Sequence, residues 1–245
     1  MTVIKDTGIV LRVESRTAED KFVTCLFKEH GKRRFVAYGA RYQRSSAGKI
    51  LQPLACVEVE LDAGHTWDRL RSSELAELPY AYDYKQLAYA MVLAELTDVL
   101  TADAQPDSAS FHLFRGALQL LRQRNPRLVV LAYAIQLLDM TGFMPQLDGC
   151  VGCGSVLPAE DCFFSAAQGG VVCQNCHKEG ERVLPFSGGA RQLYGELRSL
   201  DFDAPSGFSV RGGDLMQVER AVLSFLLYQT DRPLKSVSYL RQLGL

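Results

Sequence analysis

Through the first 80 residues apolar and polar positions alternate in short runs, and beyond them apolar residues recur at helical spacing. Val57, Val59 and Leu61 alternate with Glu58, Glu60 and Asp62, which predicts a half-buried strand over 52–61. Similar runs predict strands over 5–14, 21–28 and 32–38, and a fifth over 66–78, where the alternation is poor. The second and third are expected to form a hairpin turning at His30-Gly31, since histidine tolerates positive φ. That two-residue turn would set Glu29 opposite Lys32, Lys28 opposite Arg33 and Phe27 opposite Arg34. Five short antiparallel strands suit a small closed barrel. The OB-fold is the commonest five-stranded form, and an SH3-like barrel gives almost the same pattern.

Pro79 marks the change of period. A helix is expected over 82–101, with Leu87, Met91, Ala94, Leu96 and Leu100 on or near one face. Asp107 or Ser108 can cap a second, running to about Arg124. Pro126 is tolerated in the first turn of a third, which runs through LVVLAYAIQLLDM and ends at Gly142. Being apolar nearly all round, this third helix is expected at the centre of the helical core. Helical pattern resumes over 189–200, 214–230 and 234–243. The expected architecture is α+β and multidomain. It has an N-terminal OB-fold β-barrel over 1–80, an α-helical domain over 81–147 and 181–245, and a four-cysteine zinc knuckle inserted over 148–180.

Cys150, Cys153, Cys173 and Cys176 give that insertion its chemistry. They form C-x2-C…C-x2-C with 19 residues between the pairs. Two residues between cysteines let both sulfurs of a tight turn face one point, and two such turns complete a tetrahedral thiolate shell around Zn²⁺. Four thiolates leave no open position for water or substrate, so the metal is expected to be structural, one ion per chain. Disulfide pairing and an iron–sulfur cluster are the alternatives. The N-terminus lacks the pattern of a secretory signal, and the longest nearly apolar run, 128–138, is far short of a membrane span. A reducing cytoplasm is therefore expected, which favours metal over disulfides. Cys25 and Cys56 read as small core residues, and Cys162 has no partner at ligand spacing.

A formal net charge of −1 conceals an uneven distribution. Residues 1–50 hold 11 Lys/Arg against 5 Asp/Glu, whereas residues 51–80 hold 2 against 6. A basic cluster confined to one end points to a local anionic partner. The hairpin contributes Lys28, Lys32, Arg33 and Arg34, and the connection GARYQRSSAGK adds Arg41, Tyr42, Arg44 and Lys49. Lysines and arginines neutralise phosphates while an aromatic ring stacks on an unpaired base, so these eight residues are the candidate DNA-binding set. The competing explanation is a solvated edge whose charges discourage strand-to-strand aggregation.

Enzymatic motifs are missing. Gly48-Lys49 is not a phosphate loop, because Gln43 stands in place of the first glycine and Ile50 in place of Ser/Thr. There is neither H-E-x-x-H nor G-x-S-x-G, and no base, nucleophile and oxyanion donor can be assembled. His112 reads as a helix-surface residue, and Glu95 and Asp98 as solvated charges. Besides a DNA-binding protein, two classes stay open: a zinc-ribbon adaptor that binds only proteins, and a nuclease with an unrecognised carboxylate site.

A basic barrel followed by a helical domain with a four-cysteine knuckle resembles the bacterial recombination mediator family RecO. TGFMPQLDGCVGCG is similar to the family's segment leading into the first cysteine pair, and FSAAQGGVVCQNC to the segment leading into the second. LKSVSYL, with Leu234, Lys235 and Ser236, resembles the family's closing helix. The resemblance implies a non-enzymatic DNA-repair factor of the RecFOR pathway, working in the bacterial cytoplasm at the nucleoid. It implies binding of single- and double-stranded DNA, annealing of complementary strands and, with RecR, loading of RecA onto DNA coated by single-strand-binding protein. It also implies contact with that protein's acidic, Phe-ended tail. Phe111, Phe114, Arg115, Leu118 and Arg122 have helical spacing that could supply a pocket for the tail, or could simply pack.

Overall fold

A computed structural model describes residues 2–78, 80–157, 162–177, 180–205, 207, 209–231 and 233–242. Pro79 and Leu243, expected at an element boundary and a helix end, lie outside them. Strands β1 (Val3–Ser15), β2 (Lys21–Phe27) and β3 (Gly31–Ala37) lead through a short helix α1 (Ser46–Ile50) to β4 (Cys56–Asp62) and β5 (Asp68–Leu75). They close a barrel in the order β1-β2-β3-β5-β4. The one parallel pairing is β3 with β5, where Phe35 faces Asp68. This order, with its parallel closure, is that of an OB-fold. Val10, Val23, Cys25, Phe27, Phe35, Val57, Val59 and Leu61 fill the interior. Strand β1 serves both sides of the closure. Its first half pairs with β4 and its second with β2, with a bulge between Val10 and Arg12. A bulge of this kind bends a strand and sharpens its twist, which a small barrel requires.

The β2–β3 hairpin differs from the expected one. Phe27 pairs with Gly31, Leu26 with Lys32, Cys25 with Arg33 and Thr24 with Arg34. The turn therefore holds three residues, Lys28, Glu29 and His30, and Gly31 opens the next strand at φ +66°. Asp6 of β1 explains the extra residue. Its carboxylate accepts the amides of Glu29 and His30, both at 3.0 Å, and lies 2.8 Å from His30 Nδ1. The juxtaposition of Lys28 and Arg33 expected from the shorter turn does not occur.

Helices α2 (Tyr84–Leu100) and α3 (Ser108–Leu120), together with α7 (Lys235–Gln242), belong to the same compact unit as the barrel, Met1–Pro126 with Lys235–Leu245. A reciprocal capping box of Asp83 and Gln86 starts α2, and the Asp107 carboxylate caps α3 at Ser110. Glu95 and Asp98 on α2 are not solvated charges. Glu95 accepts the amides of Lys235 at 2.9 Å and Ser236 at 2.7 Å, and also the Ser236 hydroxyl, so it caps α7. Asp98 meets Arg12 Nε of β1 at 3.1 Å and Lys32 Nζ of β3 at 3.6 Å.

The second unit, Arg127–Leu234, contains α4 (Pro126–Met140), α5 (Gly188–Arg198), α6 (Gly212–Thr230) and a small sheet of β6 (Cys162–Ser165), β7 (Gly170–Val172) and β8 (Leu184–Phe186) in the order β7-β6-β8. The helical span expected over 81–147 and 181–245 thus contributes to both units. As its all-round apolar pattern predicts, α4 is the most buried helix of this unit, with Tyr133, Ile135, Leu137 and Leu138 fully covered. Phe164 of β6 packs on Phe186 of β8 and Phe225 of α6, with ring centroids 5.7 and 6.1 Å apart. Ser187 caps α5 at Ala190 and donates to Asp214 of α6 at 2.9 Å.

Candidate functional site

Strand β7 brings the two cysteine pairs together. It runs directly into Cys173, while Val151, between the first two cysteines, donates its amide to Val171 at 2.9 Å. Each pair sits on a tight turn: the Gly154 amide reaches the Cys150 carbonyl at 2.8 Å, and the Cys176 amide reaches that of Cys173 at 3.1 Å. The sulfurs of Cys150, Cys153, Cys173 and Cys176 all lie within 4.8 Å of one another, and Cys153 Sγ is 3.9 Å from Cys173 Sγ. Tetrahedral sulfurs about 2.3 Å from a zinc ion stand about 3.8 Å apart, whereas a disulfide needs about 2.05 Å, so the spacing fits a metal shell. Gly152 is required by this closeness, because a Cβ there would lie 2.8 Å from Cys176 Cβ and 3.0 Å from its sulfur.

The four sulfurs do not ionise alike. Burial works against ionisation of Cys150, but the amides of Cys173, Cys153 and Gly152 point at its sulfur and bring its pKa down to about 6. Cys176 moves the other way, pushed up to about 12 by the neighbouring sulfurs of Cys153, Cys173 and Cys150. A cation among the four would relieve that repulsion. Cys162 is outside the shell and donates to the Phe186 carbonyl at 3.0 Å. His177 also stands apart from it, its ring stacked on Phe163 at 5.1 Å. Cys25 lies in the barrel core, where burial raises its pKa strongly, and burial likewise pushes Cys56 up to about 11.

The basic residues of the barrel are distributed by strand alternation. Arg33 shares the inward side of β3 with Phe35 and Ala37 and pairs with Asp68 at 2.9 Å. Lys32 and Arg34 take the opposite side. Lys32 is 7% exposed, with Asp103 at 3.1 Å besides Asp98, so α2 and the segment after it occupy its charge. Arg34 donates to Glu14 at 2.8 Å, and its guanidinium carbon sits over the Phe22 ring, 4.1 Å from its centre. Lys28 is exposed in the turn, 3.8 Å from Glu29. Arg41 donates to the Thr17 carbonyl at 2.8 Å, which ties the β3–α1 connection to the β1–β2 loop. Among the described residues Arg41, Arg44 and Lys49 form no ion pair, and with Tyr42 they are exposed. The structure thus gathers Arg41, Tyr42, Arg44 and Lys49 on one connection and engages Lys32, Arg33 and Arg34 elsewhere.

Sequence reasoning missed the neighbours of Arg34. Trp67, in the loop before β5, stands 5.0 Å from Phe22, and Arg34 also lies 5.2 Å from the Trp67 ring. Arg16 sits 5.7 Å from Phe22 and 5.4 Å from Tyr38. The weak alternation around residue 66 hid Trp67, and the cross-strand spacing that joins these five residues is not visible in a linear charge count. On α3, Phe111, Phe114 and Leu118 are buried and Arg115 pairs with Glu77 at 2.6 Å, while Arg122, in the turn that follows, lies over the Tyr80 ring. No helix among the described residues is long and apolar enough to cross a membrane.

Comparison with known proteins accounts for nearly the whole chain. Residues 1–79 match the family profile described as Recombination protein O N terminal, and residues 81–238 match Recombination protein O C terminal. A protein of Symbiobacterium thermophilum named DNA repair protein RecO is 35% identical, across 98% of this chain and 97% of its own. Proteins of the same name from Bifidobacterium animalis subsp. lactis and Desulforamulus reducens are 31% and 27% identical, covering 98% and 99% of this chain and 100% and 96% of their own. With two family profiles covering residues 1–79 and 81–238 and a full-length relative at 35% identity, the chain belongs to the RecO family of recombination and DNA repair proteins.

Proposed function

We propose that this protein is a non-enzymatic recombination mediator. It binds single- and double-stranded DNA, anneals complementary strands and, with RecR, promotes RecA loading on DNA coated by single-strand-binding protein, at the nucleoid of a bacterial cytoplasm. The observation that carries this function is the match of both RecO domains along the chain. The barrel supports it, because OB-folds bind oligonucleotides on the strand 2–3 face and the adjoining loops, and here that region carries Arg34, Trp67 and the Arg41–Lys49 connection. Annealing needs dispersed cations and no positioned acid or base: a basic surface that holds two strands lowers their repulsion and raises their local concentration. Arg115 on α3 and Arg122 in the turn after it are exposed and can meet an acidic tail, whereas Phe111, Phe114 and Leu118 are taken up by packing.

The four cysteines are proposed to hold one Zn²⁺. Bound there, the ion cross-links the two turns and stabilises the second unit, with no exchangeable position for chemistry. A second reading, a protein-only zinc adaptor, is favoured by one observation: Lys32, Arg33 and Arg34 are all paired with carboxylates. Mixing two complementary labelled strands and following their pairing by energy transfer separates the two. A mediator accelerates pairing at equal strand concentration. A folded, metal-loaded protein that leaves the rate unchanged is an adaptor.

A further inference from the structure

We propose that the outer face of β2 and β3, with the loops before β2 and before β5, is a base-stacking platform selective for unpaired nucleotides; this rests on the DNA-binding function proposed above. Five side chains form a continuous ladder across it, in the order Tyr38, Arg16, Phe22, Arg34, Trp67. Successive members are 5.4, 5.7, 4.1 and 5.2 Å apart, measured from guanidinium carbon to ring centroid. Tyr38, directly after β3, is 53% and Trp67, directly before β5, 40% exposed, so two large aromatic rings face solvent at the ends of the ladder.

The two arginines are held as flat surfaces more than as charges. Arg34 is oriented by Glu14 at 2.8 Å and Arg16 by Asp20 at 3.4 Å, and the covered Arg34 Nε meets no acceptor among the described residues. A guanidinium so neutralised adds little to phosphate attraction. It still presents a π-face, as do the exposed rings of Tyr38 and Trp67, and bases stack on such faces, whereas the half-buried Phe22 ring is covered by Arg34 and backs the ladder. Charge for the backbone is supplied next to the ladder. The connection bearing Arg41, Arg44 and Lys49 is pinned to the β1–β2 loop through the Arg41 amide on Glu19 at 2.9 Å and the Arg41 guanidinium on Thr17. A single strand can therefore lay its bases on the ladder and its phosphates along that connection. A duplex, whose base faces are occupied by one another, engages the connection alone.

Trp67 is the chain's one tryptophan, so its emission reports the ladder directly. The test titrates the full chain with a thymidine oligonucleotide and with an abasic strand of equal length, following Trp67 emission and, with labelled strands, anisotropy. The thymidine strand is expected to quench Trp67 and to bind about tenfold more tightly than the abasic strand, the scale of stacking one or two bases. Tyr38→Ala, an exposed position, should lose about fivefold in thymidine-strand affinity and nothing for the abasic strand. Arg34→Lys, which keeps the charge and removes the plane, should behave likewise with an unchanged salt slope. Equal affinities with unmoved Trp67 emission, while anisotropy registers binding, would overturn the platform and leave DNA binding standing. Absence of binding by either strand at low salt would overturn both.

Discussion

Replacing Arg33 by methionine separates barrel stability from DNA affinity. Arg33 Nη1 lies 2.9 Å from Asp68 Oδ2, with the two side chains 23% and 10% exposed. The substitution leaves the Asp68 carboxylate nearly buried, with the Gly64 amide at 3.2 Å still donating to it. Removing one partner of a buried pair costs about 3–5 kcal/mol, and the partial exposure of Arg33 puts this case near the lower end, about 3 kcal/mol. For a unit of this size the melting temperature should fall by about 10 °C. Arg33→Met, followed by circular dichroism on heating and by oligonucleotide anisotropy well below the transition, should show that fall with unchanged affinity per folded molecule. Loss of affinity without loss of thermal stability would refute the assignment, since it would mean that the Arg33 guanidinium meets phosphate instead of Asp68.

The complementary variant reverses Arg44 and Lys49 to Glu. Each lost phosphate contact lowers the salt slope for a single strand by about 0.7 and affinity at 0.1 M salt by about fivefold, so the pair should cost at least about 25-fold with no change in melting. An unaltered slope would remove the connection from the interface. Glu95→Ala removes the cap of α7 and should cost about 1–2 kcal/mol, read as faster hydrogen exchange of the Lys235–Gln242 amides. Unchanged protection there would show that Glu95 does not hold the helix. With metal bound, the four cluster cysteines should resist alkylation at pH 8, and a chelator should expose them together. Cys56, pushed up to about 11 by burial, stays protonated at that pH and should remain slow throughout. Gly152→Ala should lower metal content, because its methyl group would strike Cys176; full occupancy would mean that the second turn can shift.

Much of the fold is legible locally. The five strands and the six longer helices fall close to where alternation and helical spacing put them, and the C-x2-C pairs announce their own assembly. What escapes depends on partners distant in sequence. The hairpin register turns on Asp6, more than twenty residues before the turn it organises. The charges of Lys32 and Arg33 look available in a count, yet α2 and β5 satisfy them. Leu234-Lys235-Ser236 stands out as a motif, but only the structure gives it a reason, the Glu95 carboxylate under the first turn of α7. The strands β6 to β8 are three or four residues long, too short for a period to register, and α1 is a five-residue turn. The aromatic ladder joins residues from four segments between Arg16 and Trp67, so no linear pattern could contain it.

Anisotropy of a labelled single-stranded oligonucleotide, titrated with the metal-loaded protein at several salt concentrations, tests the DNA-binding function most directly. The predicted result is tight binding at low salt whose logarithm falls linearly with log salt, with a slope that Arg44 and Lys49 reversal reduces. Absence of binding at low salt by a folded protein would contradict the account and leave a protein-binding zinc adaptor in its place.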